Sequence, residues 1–175
     1  MIKNKKYVMV DIEADGPVPG LFSMLSFGAV IVDRNLDKTF YSETKPISDN
    51  YQIDALNVGG FSRQQTLEFR DSFYAMTEFD SWLATHVERP IFISDNNGFD
   101  WSFINYYFWK HLGRNPFGFS SRNLNDLYKG LNKDLFASFK HLRTTRHTHN
   151  ALDDALGNAG ALIQIVDKFN LRGVL

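Results

Sequence analysis

The sequence predicts an α/β fold in which a mixed central β-sheet is flanked by helices. Three observations support this prediction. The first strand begins with residues 7–10, which are all apolar or aromatic, as is typical of a central strand buried on both faces. A β-hairpin pattern follows at residues 25–45, and beyond it helical stretches alternate with short strands. Residues 1–175 are predicted to form a single domain.

The strands are expected where apolar, β-branched and aromatic residues run between turn signals. The first is followed by the loop DGPVPGL, and the second and third enclose DRNLDK, which fits a hairpin connection. The predicted strands are residues 7–13, 25–32, 39–45 and 91–94. Residues 46–60 are expected to form a long polar loop. Residues 122–127 fit either a last strand or the start of a helix.

The helices are expected where apolar residues recur at helical spacing. An aromatic-rich helix follows Asp100, and the last helix is apolar over most of its circumference, with Asn150 at the N-cap position. The predicted helices are residues 62–69, 73–86, 101–112, 136–142 and 151–169.

The composition excludes several classes of site. Hydrophobic residues make up 43% of the 175 residues and aromatic residues 15%, so the chain buries a core and is not disordered. It has no cysteine, so any metal ion must be held by oxygen or imidazole ligands. No apolar run approaches the roughly 18 residues of a membrane span, and the apolar run after the basic first residues is too short for a signal peptide. We therefore expect a soluble, cytoplasmic protein. Because the net charge is −1, a nucleic acid would bind through a local basic patch or through metal ions.

Two acidic residues stand at the end of the first strand. Asp11 and Glu13 are two positions apart, so in a strand both side chains project from the same face, roughly 6.5–7 Å apart. Like charges at the end of a buried strand repel and lose hydration, and a divalent cation would offset both costs. The alternative is that the strand ends at Val10 and both acids are solvated loop residues.

A third acid, Asp100, precedes a helical pattern after a short strand and an Asn-Asn-Gly turn. Aspartate is a favoured N-cap, so a purely structural role is open. Its place after the carboxyl end of a strand also suits a ligand site, because ligands in α/β sheets bind at such ends.

The segment TRHTHNALDDA, residues 145–155, contains two adjacent aspartates. Asp153 lies in the first turn, where an acid helps the helix to start. It shares a stripe with small or polar residues that we expect to face water: Gly157, Gly160, Gln164 and Lys168. Asp154 shares a stripe with Asn158, Ala161 and Ile165, a side of the helix that we expect to be packed. Asp154 is therefore the aspartate without a structural explanation.

These motifs occur in an order that resembles a known family. The sequence has Asp-x-Glu at 11–13, Phe-Asp at 99–100 and His-x-x-x-x-Asp at 149–154. Together they are similar to the DEDDh (DnaQ-like) 3′→5′ exonucleases of the ribonuclease H-like fold, which include RNase T and oligoribonuclease. The sister group with tyrosine four residues before the last aspartate does not match, because Asn150 occupies that place.

The resemblance implies a role for each motif residue. Asp11, Glu13, Asp100 and Asp154 would hold two Mg²⁺ or Mn²⁺ ions, which prefer hard oxygen ligands. His149 would be the general base, because it alone among the nearby histidines lies five residues before an aspartate.

The resemblance also implies substrate contacts. The backbone around Ala14 would meet the 3′-terminal nucleotide, and Asn96 matches an asparagine of the family's His-Asn-x-x-Phe-Asp motif. Asp95 stands in place of that motif's histidine. Arg146 belongs to the basic segment KHLRTTRH, residues 140–147, which either grips backbone phosphates or forms a solvated loop.

We therefore expect a two-metal 3′-5′ exonuclease that releases mononucleotides from single-stranded nucleic acid, with RNA favoured over DNA. The RNA preference follows from the likeness to small stand-alone RNA-trimming members. Two alternatives stay open: a 3′-5′ exodeoxyribonuclease with the same site, and a catalytically silent nucleic-acid-binding domain. The complete set of five motif residues argues against the silent domain. A homodimer is common among the stand-alone relatives, although the sequence shows no interface signature.

Overall fold

The five strands form one mixed sheet in a computed structural model that describes residues 5–175. The strands are β1 (Lys5–Ala14), β2 (Met24–Ile31), β3 (Thr39–Glu43), β4 (Arg89–Ser94) and β5 (Ser121–Asn123). Their order is β3-β2-β1-β4-β5. The hairpin pairs β1–β2 and β2–β3 are antiparallel, whereas β1–β4 and β4–β5 are parallel. The predicted mixed sheet with β1 at its centre is confirmed.

Residues 5–175 contain six α-helices, four of which pack on the sheet. They are α1 (Ile53–Val58), α2 (Arg63–Leu67), α3 (Ser72–His86), α4 (Asn97–Leu112), α5 (Leu124–Asn132) and α6 (Ala151–Phe169). One face of the sheet forms an apolar core with α3 and α4, and the other face forms a second core with α5 and α6. Within residues 5–175, no helix combines the length and apolar character needed to cross a membrane.

The alternation of β1 decides which face receives the acids. Val8, Val10 and Ile12 point into the core beneath α3 and α4, whereas Met9 points into the core beneath α6. Because successive side chains of a strand point to opposite faces, Asp11 and Glu13 share the α6 face with Met9. The first strand thus directs its two carboxylates toward the helix that carries Asp154.

Three helix predictions need correction. Residues 46–60 are not loop throughout, because α1 lies within them. Residues 136–142 do not form a helix: only a 3₁₀ turn occurs at Lys140–Leu142, and Phe136 is 95% exposed, so the apolar residues of this segment do not form one packed stripe. The helix in this region is α5, whose start was one of the two alternatives for residues 122–127 and whose extent to Asn132 was not predicted.

Residues 122–127 contain both elements that the sequence left open. The strand β5 ends at Asn123, whose side chain accepts a hydrogen bond from Asp126 N and so caps α5. The strand is too short for an alternating pattern to show. The helix does have a local pattern, because Leu124, Leu127, Tyr128 and Leu131 stand at helical spacing.

Gly28 allows α6 to begin directly against the sheet. It pairs with Asp11 across the β1–β2 ladder, and a Cβ atom at this position would lie 2.4 Å from Leu152 Cα. Backbone therefore packs on backbone, with no side chain between β2 and the first turn of α6. This close approach places the start of α6 beside Asp11.

We predict that Gly28→Ala destabilises the protein by about 3 kcal/mol, because the new methyl group meets backbone that cannot move aside locally. Gly130→Ala is the matched control. It lies within α5, where a Cβ atom would have no other atom within 4 Å, and alanine there should be neutral or stabilising by about 0.5–1 kcal/mol. Urea unfolding of both variants measures the effect. A Gly28→Ala protein as stable as the wild type would contradict the packing described.

Candidate active site

Three carboxylates converge at the carboxyl end of β1. Asp11, Glu13 and Asp154 each offer an oxygen atom, and these atoms lie within 4.8 Å of one another. Asp11 and Asp154 are buried, and the Glu13 side chain is only 13% exposed. Asp154 follows Glu13 by 141 positions in the chain, so only the packing of α6 on β1 and β2 brings it to the two strand acids.

Asp100 lies in the same cleft but does not cap its helix. Asn96 occupies the N-cap position of α4, and Asp100 is buried within the first turn, so the N-cap alternative is wrong. Its Oδ2 atom is buried and has no hydrogen-bond partner among residues 5–175. A buried carboxylate oxygen without a donor is costly, and a cation ligand is one way to satisfy it.

The two adjacent aspartates of α6 have different surroundings. Asn150 caps the helix, as predicted, by accepting hydrogen bonds from Leu152 N and Asp153 N. Asp153 is exposed, whereas Asp154 is completely buried. The side chain of Asp154 therefore points to the packed side of the helix, as the stripe pattern predicted.

The Asp154 carboxylate accepts three hydrogen bonds from the loop that precedes it and contacts a histidine ring of the same loop. Its Oδ1 atom accepts from Arg143 Nη2 at 2.6 Å and from Thr148 N at 3.1 Å. Its Oδ2 atom accepts from His149 N at 3.0 Å and lies 2.8 Å from His147 Nδ1. We call residues 143–149 the active-site loop, because they join Asp154 to both histidines.

The glycines of α6 do not face water, which corrects one sequence prediction. A Cβ atom at Gly157 would lie 2.5 Å from Thr145 Oγ1, and one at Gly160 would lie 2.5 Å from Thr144 Oγ1. Both glycines are buried beneath the active-site loop. Small residues on this stripe mark a close approach of backbone rather than an exposed surface.

Both histidines of the segment lie at the site, with different contacts. The His149 ring is partly exposed, and its Nδ1 atom is 3.9 Å from Glu13 Oε1. The His149 backbone is left-handed, with φ of 57°, a conformation that is uncommon outside glycine. The His147 ring contacts Asp154, and its centroid lies 4.2 Å from the centroid of the His149 ring.

A cleft of about 780 Å³ opens over the carboxylates. Asn96 and Arg146, two predicted substrate contacts, are exposed on its wall. Ala14, the third, is buried at the end of β1 and does not line this cleft. The sequence did not single out four further lining residues: Phe99, Asn125, Thr144 and Thr145.

The electrostatics of the cleft favour a cation. Burial raises the pKa of Asp11 well above its ordinary value, and the nearby charges of Asp100 and Asp95 raise it further. Burial, and then Asp95, raise the pKa of Asp100. The donor set consists of carboxylate oxygens, which suit Mg²⁺, Mn²⁺ or Ca²⁺ rather than soft metals. The residues present therefore fit a divalent metal site.

A second acid network lies beside Ala14, and the sequence analysis missed it. Asp15 is completely buried, and its carboxylate accepts hydrogen bonds from Ser23 N at 2.5 Å and from Arg63 Nη1 at 3.1 Å. Arg63 also donates to Ser48 O and lies over the Tyr51 ring. The network ties the loop after β1 to α2. Its partners lie up to 48 positions apart, so no local motif marks them.

Known proteins share this sequence pattern. A family model of the RNase T type, described as an exonuclease, matches residues 8–162. The chain is also 36% identical over 178 residues to the 3′-5′ DNA exonuclease Cap18 of Escherichia coli, and the match covers 94% of this chain and 92% of that protein. The chain belongs to the DEDDh exonuclease family.

Solved structures share the fold of this DEDDh exonuclease. The nuclease domain of 3′hExo, a DEDDh family member bound to rAMP, has a TM-score of 0.77 at 15% identity, covering 97% of this chain and 96% of that chain. Escherichia coli Exonuclease I, in a zinc-bound complex with single-stranded DNA, has a TM-score of 0.74 at 19% identity. That match covers 95% of this chain but only 41% of Exonuclease I. The predicted ribonuclease H-like fold and family are confirmed.

The pKa of Glu13 predicts how the stability of this DEDDh exonuclease depends on pH in a chelator. Burial, and then the charge of Asp154, raise the pKa of Glu13 from 4.5 to about 7. The folded state therefore binds the proton of the Glu13 carboxyl group more tightly than the unfolded state does. The contribution of protonated Glu13 to the free energy of unfolding is fully present below pH 4.5 and is lost as the pH rises through 7. The loss amounts to about 2–3 kcal/mol.

Urea unfolding of the wild type and of Glu13→Gln, from pH 5 to 8 with chelator, tests this prediction. The free energy of unfolding of the wild type should fall relative to that of Glu13→Gln across this range, since glutamine does not titrate. A difference that stays constant from pH 5 to 8 would show that Glu13 is not perturbed as described.

Proposed function

We propose that this exonuclease hydrolyses single-stranded DNA from its 3′ end and releases mononucleotides. The observation that carries the proposal is the convergence of Asp11, Glu13 and Asp154 within 4.8 Å at the base of a cleft that also contains Asp100 and His149. The relative Cap18, named as a DNA exonuclease, is matched over 92% of its length and supports DNA as the substrate. RNA, which the sequence alone favoured, is the second candidate. The nuclease domain of 3′hExo, which shares the fold over nearly its whole length, is bound to rAMP.

The metal ligands would be Asp11, Glu13, Asp100 and Asp154. Two Mg²⁺ or Mn²⁺ ions bound there would stabilise charge on the attacking and leaving oxygens of the phosphodiester. The chain's own part is to hold four carboxylates together against their mutual repulsion. The packing of α6 on Gly28 and the hydrogen bonds to Asp154 supply that restraint.

His149 would be the general base. Its ring is partly exposed in the cleft beside Glu13, so a ring nitrogen is accessible to a water molecule. His149 takes the water proton while the water oxygen bonds to phosphorus and the P–O3′ bond breaks. The products are a nucleoside 5′-monophosphate and a strand with a new 3′ hydroxyl.

The exposed polar residues of the cleft would bind the substrate strand. Lys140 and Arg146 are exposed on the wall formed by residues 140–147, and Asn96 stands at the start of α4. Backbone phosphates are the groups that such cations contact without regard to sequence. Arg143 is not available for this role, because its side chain is only 6% exposed and is bonded to Asp154. A cytoplasmic location and a homodimer stay predictions.

Purified protein should degrade 5′-labelled single-stranded DNA from the 3′ end, one nucleotide at a time, only with Mg²⁺ or Mn²⁺ present. The assay runs matched DNA and RNA strands in parallel, with circular DNA as the control for endonuclease activity. Faster loss of RNA would favour the second candidate. Undiminished hydrolysis after exhaustive chelation, or cleavage of the circle, would contradict the proposal, and a protein inactive on every strand would be a silent domain.

The two adjacent aspartates should differ sharply. Asp154→Asn should lose almost all activity, because the change removes a charge from the metal site while keeping the side-chain size. Asp153→Asn should keep most of its activity and lose at most about 1 kcal/mol of stability, since Asp153 is an exposed first-turn acid. Rate and urea unfolding are measured for both. An active Asp154→Asn protein would refute its role as a ligand.

The two histidines form a second matched pair. His149→Ala should lower kcat by roughly 10²–10⁴-fold, because the attacking water loses its proton acceptor. His147→Ala should act mainly on KM, since its partner Asp154 keeps three other donors. Steady-state kinetics on one labelled strand separates these effects. The reverse result, with only the His147 variant inactive, would assign the base to His147.

A further inference from the structure

We propose that Arg143 is a positioning residue of the active site, which acts through Asp154 to fix the active-site loop and, with it, His149. The inference rests on the proposed function, because it takes Asp154 as a metal ligand and His149 as the base. Three observations on the described residues carry it: the buried ion pair of Arg143 with Asp154, the surface on α6 that receives the guanidinium, and the carboxylate that joins both ends of the loop.

The first observation is a buried ion pair. The Arg143 side chain is 6% exposed, the Asp154 side chain is fully buried, and Arg143 Nη2 lies 2.6 Å from Asp154 Oδ1. A guanidinium is removed from water at a large cost, which only a well-formed partner offsets. The Arg143 Nε atom remains buried without a hydrogen-bond partner within residues 5–175.

The second observation is the surface on α6 that receives Arg143. A Cβ atom at Gly157 would lie 3.0 Å from Arg143 Nε and Nη2, and 2.5 Å from Thr145 Oγ1. Thr145 Oγ1 in turn donates to Asp153 O. The absence of a side chain at Gly157 therefore creates the space in which the guanidinium lies against the helix, one turn after Asp154.

The third observation links Arg143 to His149. Asp154 accepts hydrogen bonds from Arg143 on Oδ1 and from His149 N on Oδ2. One carboxylate therefore joins the first and last residues of the active-site loop. The left-handed backbone of His149 is uncommon for a residue other than glycine, and the hydrogen bond from His149 N to Asp154 holds it in place. Loss of Arg143 releases one end of the loop and lets the Asp154 carboxylate rotate.

The contrast with Arg146 separates positioning from phosphate binding. Arg146 lies three residues later in the same loop, is exposed and lines the cleft. A residue that grips phosphates acts on KM, whereas one that aligns a metal ligand and a base acts on kcat. The two arginines therefore predict opposite kinetic patterns.

The kinetic test compares Arg143→Met, Arg143→Lys and Arg146→Met on one labelled strand, far below the melting temperature of each variant. Arg143→Met should lower kcat by roughly 10–100-fold with KM within about threefold. Arg143→Lys, which keeps the charge without the planar fork, should recover part of the lost kcat. Arg146→Met should raise KM and keep kcat. An unchanged kcat in Arg143→Met, or a rise in KM alone, would overturn the proposal.

A stability cycle gives a readout that does not depend on activity. In chelator, Arg143→Met should lower the melting temperature by roughly 6–20 °C, because it leaves Asp154 buried without its cation. In an Asp154→Asn background, the same substitution should lower the melting temperature by less than half as much. Equal shifts in both backgrounds would show that Arg143 does not act through Asp154.

The two tests separate failure of this inference from failure of the proposed function. If Asp154→Asn remained fully active, the metal-ligand assignment would fall, while a positive stability cycle would still establish the Arg143–Asp154 contact. If Asp154→Asn were inactive but Arg143→Met retained the wild-type kcat, the proposed function would stand and Arg143 would be only a structural residue.

Discussion

Mutual repulsion among buried carboxylates is the main constraint on this structure. Asp11, Glu13, Asp100 and Asp154 share one cleft, and burial raises the pKa of the first three. Such a cluster opposes folding unless its members are held by rigid elements. The central strand provides two of them, the first turn of α4 provides the third, and α6 provides the fourth. The cores on both faces of the sheet hold these elements in place.

The cleft contains both a group of carboxylates and a group of basic side chains. This arrangement explains how a chain of net charge −1 can bind a polyanion. The carboxylates lie at the carboxyl end of β1 and attract cations. Lys140 and Arg146 line the same cleft, in the segment that leads to α6. Metal ions would neutralise the carboxylates, and the basic side chains would contact the phosphates. Local arrangement, not overall composition, therefore determines the partner.

The sequence predicted the parts of the site that depend on local periodicity. Alternation in β1 placed Asp11 and Glu13 on one face, and the stripe pattern of α6 distinguished Asp154 from Asp153. These rules work because each concerns one element whose period is fixed. The Asn150 cap was equally visible, since capping depends on residues that are neighbours in the chain.

The sequence did not predict features that arise from packing between elements. Gly157 was expected to face water, because smallness on a helix surface is consistent with exposure and with close contact alike. Arg143 looked like another cation of a basic segment, and only its burial against α6 distinguishes it from Arg146. In both cases the deciding contact is tertiary. The helix α5 is a different case: its start was left open at residues 122–127, and the helical spacing of Leu124, Leu127, Tyr128 and Leu131 is a local signal for its extent.

The docking of α6 on Gly28 has a consequence for how the nuclease fails. Asp154 belongs to α6, and the backbone of His149 is bonded to Asp154, so both depend on the seating of that one helix. When thermal fluctuation detaches α6, one carboxylate and the anchored loop leave the cleft together. Under the proposed mechanism, this partial unfolding would remove a metal ligand and the general base together. A molecule in which α6 is undocked would then be inactive rather than a poorly controlled nuclease.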